Sequence, residues 1–165
     1  MKSKKNTFVS RAAVGCVTTA IFLLLCIIKG IYPFGIATLD TVDFQSQWIP
    51  AYYHVWDVLH GDGSAFFDWR VGGGNNFAGV SAQFSLFSPF NLFFLFVKRS
   101  WIEKSMIVFI IIKLLAMGYG MRWFLKEQIL KEERYGIYIL AGSVGYAVNG
   151  YTLLYYGMGW LDVAG

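Results

Sequence analysis

Residues 12–28, AAVGCVTTAIFLLLCII, carry no charge, and this run constrains the chain more than any other feature. With Lys29, Gly30, Ile31 and Tyr32 the run reaches 21 residues. As a helix rising about 1.5 Å per residue, it crosses a hydrocarbon core about 30 Å thick. Lys2, Lys4, Lys5 and Arg11 precede it with no acid among them, and such a basic leader stays on the cytoplasmic side. The sequence therefore predicts a cytoplasmic leader over 1–11 and a transmembrane helix over 12–32. Lys29 can snorkel to the far interface, and Pro33 with Gly35 is expected to end the helix. A cleaved signal peptide is the competing reading, with Gly35-x-Ala37 as a small-x-small site, but the apolar run exceeds the usual 7–15 residues.

Composition agrees with a membrane setting. Of 165 residues, 56% are hydrophobic and 15% charged, against about 25% charged in ordinary soluble domains. The net charge of +4 is held in short clusters beside apolar runs, a topology signal. It forms no basic face of the kind a nucleic-acid module needs, so no nucleic-acid partner is expected. Cys16 and Cys26 lie ten residues apart in the first run, roughly 15 Å along a helix, beyond disulfide reach. The expected class is all-α integral membrane.

Residues 33–104 read as an outer-face loop. Up to position 85 it holds Asp40, Asp43, Asp57, Asp62 and Asp68 against Arg70 alone, with His54 and His60. Pro50 suits a first helical turn and Gly61 a stop. Phe44, Trp48, Tyr52, Val55/Trp56 and Leu59 recur at helical spacing, which predicts a short interfacial helix with an aromatic stripe. The apolar stretch 86–97 would be about 18 Å long as a helix, so a re-entrant or juxtamembrane placement is expected. Two longer runs predict transmembrane helices at 105–125, with Lys113 inside, and at 136–157. Between them, 126–135 is a basic cytoplasmic loop, and 158–165 returns to the outer face at the start of a longer protein. Both inter-run gaps are basic, and if 86–97 crosses the membrane everything after it inverts.

Candidate chemistry centres on the aspartates. A carboxylate at the outer face can be a general base for an acceptor hydroxyl or a cation ligand. Asp43 stands between Val42 and Phe44 before the aromatic helix, where burial would raise its pKa and suit it to base chemistry. Asp57, Asp62 and Asp68 read as solvated loop residues, Gly61-Asp62-Gly63 being a turn signature. His54, Asp57 and His60 turn through about 600° on a helix, so the histidines diverge, and nothing completes a zinc site. The glycine run 71–79, VGGGNNFAG, lacks the Lys-Ser/Thr ending of a phosphate loop. Its glycines suit a tight loop, with Asn75 and Asn76 as turn or ligand hydrogen bonders. Lys113 is costly in a span unless it faces protein, water or a lipid phosphate, or snorkels. Gly118, Gly120, Gly142 and Gly145 suit close helix packing.

In order, the chain shows a basic leader and span, then GIYPFGIATLDTVDFQSQWIPAYYHVWDVLHG, a Gly-Gly-Gly-Asn loop, FSLFSPFNLFFLFV, an apolar run with an internal lysine, and GYAVNGYTLLYYGMGWLD. This ordered set resembles the start of the YfhO-type bacterial membrane proteins, large multi-span proteins of the C-type glycosyltransferase fold. The likeness runs from Gly30 to Asp162 and implies the N-terminal part of such a helical bundle. Its aspartate before a Gln-aromatic-Pro sequence matches Asp43, Gln47, Trp48 and Pro50, with tryptophan where tyrosine is commoner. SPFN falls on Ser88 to Asn91, and WLD on Trp160, Leu161 and Asp162.

The resemblance implies a sugar transfer from a polyprenyl-phosphate donor lipid to a cell-envelope polymer. Asp43 would be the catalytic base, with Asp40 as the fallback. Gln47, Arg70, Asn75, Asn76 and Asp162 are the substrate-binding candidates, and Arg70, Lys98 and Arg99 the local cations for the departing phosphate. No cofactor is demanded, although a divalent ion between Asp43 and Asp162 is compatible with the expected topology. The alternatives left open are a non-catalytic lipid-binding or transport component, and an inactive truncated piece.

Overall fold

The computed structural model describes residues 2–37, 44–81, 88–129 and 135–155. Asp40, Asp43 and Asp162 lie outside the described residues. The chain divides into two compact units, Met1–Ala37 with Ile110–Leu153, and Thr38–Phe109 with Leu154–Gly165.

In the first unit, α1 (Lys2–Ile28) is one continuous helix. It ends earlier than the expected 32, and not at Pro33. Gly30 takes φ +61°, its amide bonds to the Ile27 carbonyl, and the Ile31 amide bonds to the Cys26 carbonyl. This paired closure satisfies the last carbonyls and needs a left-handed residue, which glycine supplies without strain. Cys16 and Cys26 are both free thiols.

The helix α4 (Ile102–Phe124) is extended by a 3₁₀ turn at Arg99–Trp101 and a π-helical turn at Leu125–Ile129. Among the described residues, two stretches are long and apolar enough to cross a membrane, Arg11–Ile28 and Arg99–Ile129. The run expected as one helix over 136–157 is instead α5 (Gly136–Ala147) and α6 (Gly150–Tyr155). Asn149 explains the break. Its Nδ2 donates to the Tyr146 carbonyl at 2.6 Å, closing α5, while its Oδ1 accepts the Thr152 amide at 2.9 Å, the geometry of an N-cap on α6. At 12 residues, α5 rises about 18 Å.

Small residues bring these helices together. A Cβ at Gly118 would stand 3.3 Å from Val14 Cγ1 and 3.5 Å from Ala147 Cβ, so α1, α4 and α5 meet there. Val14, Thr18, Ser143 and Ala147 are fully buried, and Ser143 returns its hydroxyl to the Ile139 carbonyl at 2.6 Å. Gly142 lies against Leu125, whereas Gly120 and Gly145 border open space. Of the four glycines expected to pack, two do. Lys113 and Arg122 are buried, so Lys113 does not snorkel.

The second unit is built on an aromatic core. A π-helical turn, Phe44–Trp48, leads directly into α2 (Ile49–Leu59), so the helix begins before the expected Pro50. It stops where Gly61 takes φ +83°. Phe44, Trp48, Tyr52 and Val55 of the expected stripe are buried. Tyr52 packs 5.2 Å from the Phe94 ring and edge-on to Phe109 at 5.4 Å, with Phe94 and Phe109 5.0 Å apart. Such pairs add about 0.5–1.5 kcal/mol each beyond area burial.

Phe94 comes from Pro89–Phe96, wound as a 3₁₀ helix. At about 2 Å per residue it reaches roughly 16 Å, half a hydrocarbon core. The Trp56 indole N–H donates to the Val97 carbonyl at 2.7 Å, tying this segment to α2.

The loop also contains strand, which an all-α reading did not include. β1 (Phe67–Asp68) pairs antiparallel with β2 (Asn75–Asn76), Phe67 opposite Asn76 and Asp68 opposite Asn75. Gly72, Gly73 and Gly74 all take positive φ in the connection, as the glycine run led one to expect. The short helix α3 (Phe77–Ser81) follows, and Phe77 is buried.

Candidate functional site: a polar cleft on α2

A second row along α2, beside the aromatic one, carries polar groups. Gln45, Ile49, Tyr53 and Asp57 succeed one another at i, i+4 spacing, one row along a helix. This row lines a cleft of about 860 Å³ within the second unit, closed by Arg70 of the hairpin and by Arg99 and Glu103 at the start of α4. Volumes of this size hold small-molecule ligands.

Asp57 anchors the cleft wall. It is 6% exposed, and three N–H groups converge on it. Arg99 Nε donates at 2.8 Å and Arg99 Nη2 at 3.3 Å, while Arg70 Nη1 donates at 3.3 Å. Hydrogen bonding to Arg99 holds the Asp57 carboxyl below the usual carboxylate range, against the opposing effect of burial. Asp57 is therefore not the solvated loop residue expected from sequence. A buried carboxylate costs several kcal/mol unless paired, and two guanidiniums pair it. With its oxygens occupied and its proton affinity depressed, it is poorly suited to act as a base.

Arg70 knits the hairpin to α2. It grips Asp68 through Nε at 3.0 Å and Nη2 at 2.7 Å, and Nη2 also donates to the Asp62 carbonyl at 2.7 Å. The Arg70 side chain and backbone amide hold the Asp68 carboxyl far below the carboxylate range. Asp68, also expected to be solvated, is thus a structural ion-pair partner, whereas Asp62 is exposed. The close approach needs Gly63, where a Cβ would lie 3.1 Å from the Val58 amide and 3.2 Å from Asp57 Cβ.

His54 is buried on the same wall, its Nε2 3.0 Å from the Ser64 carbonyl and 3.9 Å from Asp68 Oδ2. Its ring meets Phe77 at 4.0 Å. His60 stacks on Trp56 at 3.8 Å, so the two histidines serve different neighbours.

Tyr53 links the remaining polar groups. Its hydroxyl donates to Glu103 Oε1 at 3.1 Å, and the Arg99 guanidinium lies over its ring at 4.9 Å. Burial, then the charge and hydrogen bond of Glu103, push the Tyr53 hydroxyl pKa up.

Of the residues selected from sequence, Gln47 and Arg70 line the cleft together. Asn75 and Asn76 do not. Asn75 Oδ1 accepts the Asn76 amide at 2.8 Å, and Asn76 Oδ1 accepts the Gly79 amide at 3.1 Å. Arg99 joins the cleft, while Lys98 is absent from its lining. Asp43 immediately precedes Phe44 in the chain, two residues before Gln45. Sequence reasoning overlooked Asp57, Tyr53 and Glu103. The polar members of the i, i+4 row beside the aromatic stripe, Gln45, Tyr53 and Asp57, are the available signal for the first two, and Arg99 to Glu103 repeats that spacing.

The helices, their exposed apolar surfaces and the two stretches long and apolar enough to cross a membrane fit a helical membrane protein. The bacterial membrane protein YfhO family model matches residues 15–164. The chain belongs to the YfhO family, and a membrane location follows. No curated protein and no solved structure matches it.

Proposed function

We propose that the protein is a glycosyltransferase of the C-type fold, moving a sugar from a polyprenyl-phosphate donor lipid to a cell-envelope polymer on the outer face of the cell membrane. The observation that carries this reading is the α2 cleft, which combines two amide side chains with two arginines and is contiguous in sequence with Asp43. Membership of the YfhO family supports it.

In the proposed reaction, Asp43 accepts the proton of an acceptor hydroxyl while that oxygen attacks the anomeric carbon. The bond from that carbon to the phosphate oxygen breaks, and polyprenyl phosphate leaves with the electron pair. A single displacement inverts the anomeric centre. Arg70 and Arg99 on the cleft wall supply the positive charge a departing phosphate needs. Gln47 positions substrate, and Asp40 shapes the approach to Asp43. Asp162 is the further substrate contact carried by the family resemblance, and the scheme needs no cofactor. The proposed topology is multi-pass, with a cytoplasmic N-terminus.

Replacing Asp43→Asn and, separately, Asp40→Asn in the intact protein tests the assignment. Sugar on the surface polymer disappears only for Asp43→Asn, at an unchanged membrane level of protein. Decoration that survives Asp43→Asn places the base elsewhere or leaves the protein a binding role.

A further inference from the structure

The transfer scheme assigns no role to Glu103, whose carboxylate lines the same cleft as Arg99 one helical turn away. The two differ in what they have left to offer. Arg99 gives Nε and one Nη2 hydrogen to Asp57. Among the described residues, the other three of its five N–H groups carry no hydrogen bond, and its side chain is half exposed. Glu103 is exposed and accepts one hydrogen bond, from Tyr53, so its second oxygen is available. Tyr53 stands between them, its ring under the guanidinium and its hydroxyl on the carboxylate.

We propose that this pair reads a phosphorylated sugar in the cleft, Arg99 taking the phosphoryl oxygens and Glu103, held by Tyr53, taking sugar hydroxyls.

Charge and hydrogen-bond chemistry select that ligand class. The charges on the cleft wall are Asp57 on α2, Arg70 on the hairpin side, and Arg99 and Glu103 at the start of α4, with Asp68 behind Arg70 as its ion-pair partner. Asp57 and Asp68 are sequestered behind their arginines, with side chains 8% and 10% exposed against 52% for each arginine. The accessible charges, the two guanidiniums and the Glu103 carboxylate, therefore lie in one cleft, with Arg99 and Glu103 on either side of Tyr53. A bare anion gains at Arg99 but is repelled by Glu103. A sugar phosphate satisfies both groups, because its hydroxyls donate to a carboxylate. Gln45 and Gln47, which can donate and accept, suit the same hydroxyls. Asp57 acts as a positioning residue, fixing Arg99 over Tyr53.

The inference rests on the transfer reading for the origin of its ligand, but its test requires binding alone. Dissociation constants for inorganic phosphate and for glucose 1-phosphate are measured by calorimetry on the intact protein in detergent. Arg99→Gln weakens both ligands about tenfold, the worth of one charge-assisted hydrogen bond. Glu103→Gln weakens glucose 1-phosphate by several-fold and leaves inorganic phosphate unchanged or bound more tightly, because a repulsive charge is gone. Tyr53→Phe weakens only the sugar phosphate. Equal effects of Glu103→Gln on both probes overturn the pair, as does failure of wild type to bind glucose 1-phosphate more tightly than phosphate. Arg99→Lys keeps the charge and separates anion recognition from folding: it retains more phosphate affinity than Arg99→Gln if Arg99 reads the anion, and equal loss overturns that role. A prenyl monophosphate in the micelle that displaces glucose 1-phosphate supports a lipid-borne phosphate; no displacement supports a soluble one. If these binding results hold while Asp43→Asn leaves decoration intact, the transfer reading falls and the recognition pair stands.

Discussion

The two units of this chain hold polar side chains differently. In the first, helices approach through small residues, and among the described residues the buried polar groups are the short hydroxyls Thr18, Ser143 and Thr152 together with Lys113 and Arg122. In the second, a core of Trp48, Phe94 and Phe109 frees one face of α2 to carry an ion-pair network around a cleft. Close packing supplies order in one case; in the other, charges are held at a wall where ligand chemistry can use them. An apolar composition therefore need not mean a uniform architecture, because a short amphipathic helix suffices to raise a polar site.

That contrast can be broken by substitution. The largest effect is expected in the first unit, where Gly118→Leu inserts a side chain between Val14 and Ala147 and costs about 2–3 kcal/mol by overpacking. Gly120→Leu, facing open space, should change stability by less than about 0.5 kcal/mol. Thermal unfolding in detergent measures both, and equal losses would contradict the packing assigned to Gly118.

In the second unit, Asp57→Ala removes three hydrogen bonds but leaves two arginines that already reach solvent. A loss of about 1–2 kcal/mol is expected, discounted for that exposure. The pH dependence has a definite sign. The folded Asp57 carboxyl is depressed, so its stabilisation is complete above the unfolded value of about 3.9 and is lost as pH falls through the lower folded value. The stability gap between wild type and Asp57→Asn should stay constant from about pH 7 to about pH 5 and close below about pH 4. A gap that closes near neutrality would assign it to another group.

The smaller predictions sharpen the boundaries. Asn149→Ala removes the cap on α6 and should cost about 1 kcal/mol, seen as faster amide exchange at Thr152. Tyr53→Phe deletes one hydrogen bond in an open cleft and should cost less than about 0.5 kcal/mol in stability. A larger loss there would make Tyr53 a structural residue.

The same contrast explains what could be read from the sequence. Hydropathy found the two long apolar stretches because membrane-crossing length is a local property of the chain. Helical periodicity likewise found the stripe Phe44, Trp48, Tyr52 and Val55. The end of α1 was placed at Pro33 because proline is a conspicuous breaker, while the closure at Gly30 depends on backbone bonds that composition does not display. The helix expected over 136–157 failed at Asn149, where one capping side chain outweighs an unbroken apolar run. Asp57 escapes a sequence reading for a different reason. Its partner Arg99 is 42 positions away, and no periodicity joins residues at that separation. Gln47, which the motif order singles out, and Arg70, a local cation, both line the cleft, whereas Asn75 and Asn76 engage local turn bonds.

The central claim is that the cleft following Asp43 serves sugar transfer. Its most direct test is transfer by the intact protein in liposomes, from a radiolabelled prenyl-phosphate-linked sugar to extracted envelope polymer, for wild type and Asp43→Asn. Label entering the polymer with wild type and falling by about 10²–10⁴-fold with Asp43→Asn, as expected for a general base, is the predicted result. Equal incorporation by the two proteins would contradict it.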